Sequence, residues 1–208
     1  MKRIISLLFS AAFLFAAPVI NAQETAPDAL VKSVTEDVLE IMRQNKDIQA
    51  GSINEISKLV DAKVLPHFNF RRMTQLAVGR GWRQASADQQ DELARQFRDL
   101  LVRTYANAVV SYSNQRFVFK PLRMNPNDTE VMVRTEIMQP GGSPVALDYS
   151  MEKTEQGWKV YDVVVGGVSL VTTYRDSFAQ EVRAGGIDGL INALTEQNKA
   201  LQARQNQT

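Results

Sequence analysis

Near residue 115 the spacing of apolar side chains changes from about 3.6 to 2, and near residue 166 it changes back. A chain patterned this way places one block of strands between two blocks of helices. Pro27 can open a helix at its first position, and Leu30, Val31, Val34, Val38, Ile41 and Met42 then recur at threes and fours to about Gln44. Gly51 breaks the pattern. Ser52 and Glu55 form a capping box for a second helix, with Ile56, Leu59, Val60 and Val64 inward, ending at Pro66. The spacing predicts a third helix over Phe70 to Val78, closed by Gly79. A long fourth runs from a Ser86/Gln89 capping box to about Tyr112.

In the middle block, Phe117 and Phe119 alternate with Arg116 and Lys120, and Val131, Val133 and Ile137 with Glu130, Arg134 and Glu136. A third strand alternates Val145, Leu147, Tyr149 and Met151 with Asp148, Ser150 and Glu152. Turns at Asn125 to Asp128, Pro140-Gly141-Gly142 and Glu155-Gln156-Gly157 are short, so the strands form an antiparallel meander with one apolar and one wet face. The fourth strand, Trp158 to Val165, is apolar on both faces and is expected to be covered on both or to lie where helices wrap an edge. Gly166-Gly167 reads as a strand-to-helix junction, and Ser169 as the cap of a helix that Gly185-Gly186 ends. A last helix through Ile187, Leu190, Ile191 and Leu194 runs into a Gln- and Asn-rich tail expected to fray. The expectation is an α+β fold: a curved four-stranded antiparallel sheet packed by helices from both ends of the chain. The blocks fall at about residues 27–112, 115–166 and 168–203, with no internal repeat.

Residues 1–22 read as a cleaved secretory signal rather than as part of the domain: Lys2 and Arg3, an uncharged apolar run from Ile4 to Ala17, Pro18, then small Ala22 at the cleavage edge. Cleavage leaves 186 of the 208 residues, the domain at 23–208, ample for one core. With no cysteine there is no lipid anchor at that edge, no disulfide and no thiolate metal site, so the expectation is a soluble periplasmic protein. Losing two cations with the leader takes the formal net charge from +1 to −1, which argues against nucleic acid as a partner. His67 is the one histidine and lacks a nucleophile-elbow serine or a second metal ligand, so it reads as structural and no metal or cofactor is expected. Gly79-Arg80-Gly81 lacks the third glycine and the preceding strand of a phosphate loop. The Asn127-Asp128-Thr129 sequon reads as a turn. Acid–base work by Asp148 or Asp162 beside Tyr149 or Tyr161 keeps a small-molecule enzyme as an alternative, although both carboxylates fall away from the apolar face.

The run from Tyr161 to Val171, with Tyr174-Arg175, Phe178 and Gly186 to Leu190, resembles the periplasmic phospholipid-binding proteins of the Mla lipid-transport system, also called the toluene-tolerance family. Val64 to Phe68, Gly79, Trp82-Arg83, Gln90, Phe97, Leu100-Leu101 and Thr104-Tyr105 resemble its helical half, so the similarity covers roughly residues 30 to 195. Asn69 departs from the acidic residue expected after His67-Phe68, which puts a local cap or charge contact in question. The resemblance implies a fold related to nuclear transport factor 2, with a deep apolar pocket for phospholipid acyl chains. It also implies a monomer that shuttles lipid between an outer-membrane lipoprotein complex and an inner-membrane ABC transporter, maintaining outer-membrane asymmetry.

On that footing the sheet lining would be Phe119, Val133, Ile137, Leu147, Tyr149, Met151, Val163 and Val165. The helical side would add Leu76, Leu100, Val109, Val168, Leu170, Val171 and Tyr174. Two acyl chains of about thirty methylenes represent roughly 20–25 kcal/mol relative to water, so lipid would not leave into solvent during transit. With no basic cluster beside the apolar strands, binding is expected to depend on the tails and little on the headgroup. From the residues alone a solid core is the favoured reading of the same side chains, and the resemblance reverses it; a carrier of another hydrophobic ligand stays open.

Overall fold

Pro27 opens α1 (Pro27–Gln44) in its first turn, where its missing N–H has no intrahelical partner to lose. The computed structural model describes residues 25–205, so the leader expected at residues 1–22 lies outside the described residues. Asn45 caps a short α2 (Lys46–Gln49), its side chain accepting from the N–H groups of Asp47 and Ile48, a turn the apolar spacing does not mark. Ser52 stands before α3 (Ile53–Leu59), but the expected capping box does not form: its hydroxyl makes no capping bond and Glu55 pairs instead with Lys58 at 2.7 Å. The helix then widens into a π-helical turn at Val60–Val64 and tightens to a 3-10 turn at Leu65–His67. The third predicted helix is α4 (Phe70–Val78), capped by Asn69 and ended at Gly79 with φ +61°. The Ser86/Gln89 box before α5 (Ala87–Ser111) is reciprocal: the Gln89 N–H donates to Ser86 Oγ at 3.2 Å, and the Ser86 N–H to Gln89 Oε1 at 2.9 Å.

The sheet is an antiparallel meander of β1 (Arg116–Phe119), β2 (Glu130–Met138), β3 (Val145–Thr154), β4 (Gly157–Val165) and β5 (Val168–Ser169) in sequential order. It has five strands, not four. Gly166 and Gly167, at φ +57° and +86°, make a two-residue hairpin turn that folds the chain back onto β4, where a helix junction was expected.

The two-sided apolar pattern of the fourth strand has a different cause from the one expected. Val163 faces Tyr149 and Val160 faces Met151, so one extra residue of β4 is accommodated by a bulge opposite the Ser150–Met151 step. The bulge shifts the parity of the strand. Trp158 and Val160 before it, and Val163 and Val165 after it, all belong to the same face as Leu147, Tyr149 and Met151.

On the opposite face, Arg72 of α4 reaches Glu130 at 2.7 Å and pairs with Glu152, two carboxylates that face each other across β2 and β3. Its guanidinium lies 3.7 Å from the ring centroid of Tyr161. Asn69 settles the departure noted in the sequence, since its amide accepts from the Arg72 N–H and donates to Glu152 at 2.7 Å. A carboxylate could not make that donation.

Beyond β5, the Ser169 hydroxyl accepts from the N–H groups of Val171 and Thr172, capping a 3-10 turn at Thr172–Tyr174. Then α6 (Arg175–Gln205) bends at Gly186, whose φ of +67° is non-helical. The tail does not fray before Gln205: the Asn198 amide is buried against Gln96, with bonds of 2.9 and 2.7 Å, and Gln205 bonds to Arg103.

Candidate functional site

Three apolar clusters pack this domain. One joins α4, α5 and α6 around Phe97, Leu100, Phe178 and Leu190. A second joins α1 to α3 with α5 around Met42, Ile48 and Ile56. The third sets Val31 and Leu30 of α1 against Val133, Met151, Trp158 and Val160 of the sheet. They do not merge. Where they would meet lies a cavity of about 440 Å³, lined from the first by Met73 and Leu101, from the second by Val38, Val60 and Ala106, and from the third by Val31, Met151 and Val160. That volume is room for roughly fifteen methylene-sized groups, if each takes about the 30 Å³ share of a liquid water.

The sheet contributes Phe117, Ile137, Leu147, Tyr149, Met151, Val160, Val163 and Val165 to the wall, and α1 supplies Leu30, Val31, Val34, Thr35, Val38 and Leu39 along its length. Residues 60–68, Phe70 and Met73 of α4, α5 through Val102, Tyr105 and Ala108, and Tyr112 just beyond it form further walls. No carboxylate is among the lining residues. Two polar groups that face the space, Tyr149 and His67, are kept uncharged by burial. Burial pushes the Tyr149 phenol up to about 12, against a smaller opposing pull from the Thr35 hydroxyl. Burial, helped by neighbouring Lys159, holds the His67 imidazole below its ordinary value, so it is uncharged at neutral pH. Asp162 pairs with Ser150, and Asp148 with Val164, on the opposite face of the sheet. The Asp162 carboxyl is raised by burial and held by Ser169 and the backbone of Val163 and Val171. An acid–base pair aimed at the cavity is therefore not assembled from these carboxylates.

Of the side chains singled out in the sequence, Ile137, Leu147, Tyr149, Met151, Val163, Val165 and Leu170 line the cavity. Val133 shares their face but is packed solid by Val31 and its neighbours. Leu100 and Val171 are completely buried in the α4–α5–α6 cluster, with Leu76 and Tyr174 packed against it; Tyr174 meets Phe97 edge-on at 5.2 Å. Val168 is 58% exposed on β5. The side chain of Val109 lies outside the described residues. Phe119 packs into the third cluster and borders a second space.

That second space is a polar groove of about 450 Å³ between the C-terminal half of α1 and residues 114–119, lined by Thr35, Glu36, Leu39, Arg43, Asn114, Gln115, Arg116, Phe117 and Phe119. It shares Thr35, Leu39 and Phe117 with the apolar cavity. No basic run marks it in the sequence, because its two arginines come from elements far apart along the chain.

Among the described residues no helix is long and apolar enough to cross a membrane. The sequence matches the family described as MlaC protein over residues 32–196. It is 26% identical over 176 residues to the intermembrane phospholipid transport system binding protein MlaC of Haemophilus influenzae, covering 83% of this chain and 82% of that protein. It is 23% identical over 176 residues to the toluene tolerance protein ttg2D of Pseudomonas putida, covering 84% and 81%. A phospholipid-binding protein from Ralstonia solanacearum, solved in complex with a phospholipid, matches the fold at a TM-score of 0.79 and 40% identity, covering 86% of this chain and 99% of that one.

Proposed function

The chain belongs to the MlaC protein family, and from that premise we propose that it is a periplasmic carrier that holds phospholipid by its acyl tails. The observation that carries the reading is the apolar cavity left open between three packed clusters. Charge-free walls suit a hydrocarbon tail and reject a phosphate, whose desolvation would cost far more than weak contacts return. The space matches one acyl chain. A diacyl lipid needs about twice as much, so loading either widens the cavity or leaves part of one tail outside these walls.

The protein is exported with loss of residues 1–22 and works as a monomer of nuclear transport factor 2-like fold. It passes lipid between an outer-membrane lipoprotein complex and an inner-membrane ABC transporter without chemical change, and it needs no cofactor beyond the bound lipid. Direction comes from the partners. The test is organic extraction of protein purified from the periplasm, followed by mass spectrometry and by transfer between two vesicle populations. Stoichiometric phospholipid and downhill exchange are expected. A different co-purified molecule, or uphill pumping between pure vesicles, would overturn the reading.

A further inference from the structure

The geometry points to a second, polar subsite: we infer that the groove between α1 and the entry to β1 seats the phosphodiester of the lipid whose tail fills the cavity. The inference rests on the carrier reading and says where that lipid's charge goes. The cavity is lined along α1 from Leu30 to Leu39, and Leu39 also lines the groove. Arg43 lies twelve residues beyond Val31, about 18 Å along the helix axis. Thr35, Leu39 and Phe117 line both spaces, so the groove adjoins the cavity across these side chains.

Its charges suit a phosphate monoanion. Arg43 and Arg116 line it, with the carboxamides of Asn114 and Gln115 between strand and helix. Its one carboxylate, Glu36, is offset by Lys32 at 3.9 Å, and Arg43 is lightly held by Glu40 at 3.4 Å, an exposed pair that is easily exchanged. Guanidinium forks match two phosphate oxygens, which leaves Glu36 and the two carboxamides for the alcohol beyond them. The subsite therefore selects for a phosphodiester. Free phosphate offers the same chemistry, and what distinguishes the lipid is the tail in the adjoining cavity.

The test compares the full chain with R43Q/R116Q and R43K/R116K in uptake from vesicles doped with phosphatidylglycerol or with dioleoylglycerol, which has the tails and no phosphate. The Gln variant should take up phosphatidylglycerol about tenfold more weakly at low salt, with dioleoylglycerol unchanged and the Lys variant intermediate. Equal loss for both lipids, or no loss for either, overturns the subsite. So does tight binding of inorganic phosphate to lipid-free protein, which would make the groove an anion site independent of lipid. Failure of the unaltered protein to take up either lipid would instead remove the carrier reading, and the subsite with it.

Discussion

The cavity predicts a large but conditional stabilisation of the loaded protein. Its volume of about 440 Å³ admits roughly fifteen methylenes at about 30 Å³ each. At about 0.8 kcal/mol per methylene removed from water, a tail of that length contributes about 12 kcal/mol. Left empty, the same space forgoes contacts worth about 10 kcal/mol at about 24 cal/mol per Å³. The second term adds to the first only where the empty walls keep their shape, so the first alone sets the scale. Both are ceilings, since the empty walls relax inward and the mouth admits water. If about half survives, a chain of this length melts about 10–20 °C higher loaded than stripped. The condition concerns where the tail goes on unfolding. In dilute buffer it is stranded in water, whereas with excess vesicles it enters a bilayer and the advantage disappears by mass action. The assay is scanning calorimetry of stripped protein, loaded protein, and loaded protein with vesicles. Equal melting of the first two, or a gap that vesicles leave untouched, would refute the reasoning.

Two further outcomes are expected. Val163→Trp projects an indole into the cavity and should cut lipid uptake at least about tenfold with little loss of stability, because the space is already open; Val168→Trp, on an exposed position, should change neither, and equal losses in both would contradict the placement of the cavity. Arg72→Met leaves Glu130 and Glu152 face to face and should destabilise by about 1–3 kcal/mol in urea titrations at pH 7. The Glu130 carboxyl is held below its ordinary 4.5, first by its hydrogen bond from Arg72. That contribution is present above the unfolded value and is lost as pH falls through the depressed folded one, so the gap between the proteins should narrow below about pH 4.5; a constant gap would refute the pairing.

Local signals were legible where one residue decides an outcome. Pro27, Gly79 and the Ser86/Gln89 box each mark a helix end from their own chemistry, and the meander follows from alternation and short turns. The Ser52/Glu55 box misled because Lys58 competes for the same carboxylate. The bulge and β5 are absent from the periodicity, since one extra residue looks like apolarity on both faces and a two-residue strand has no period. The sheet wall of the cavity was readable for the same reason as the sheet. Its helical walls were not: a stripe such as Leu93, Phe97 and Leu100 declares that it is buried but not in which of three clusters, so Leu76, Leu100, Val171 and Tyr174 fall elsewhere while Val34, Val38, Val60 and Tyr105 were passed over. Arg43 and Arg116 needed the fold to bring them together.

The extra residue in β4 turns the count of residues in that strand into part of the design. Trp158 and Val160 face inward on an even count and Val163 on an odd one, with the step absorbed between them. Were the strand to run at its present length without the step, Asp162 and Val164 would turn inward and Val163 and Val165 outward, whereas loss of Tyr161 would remove the step and keep all four cavity-side residues on one face. A one-residue deletion at Tyr161 should therefore be tolerated, whereas a residue inserted in the middle of the strand would set its two halves out of phase, a constraint on chain length rather than on residue type.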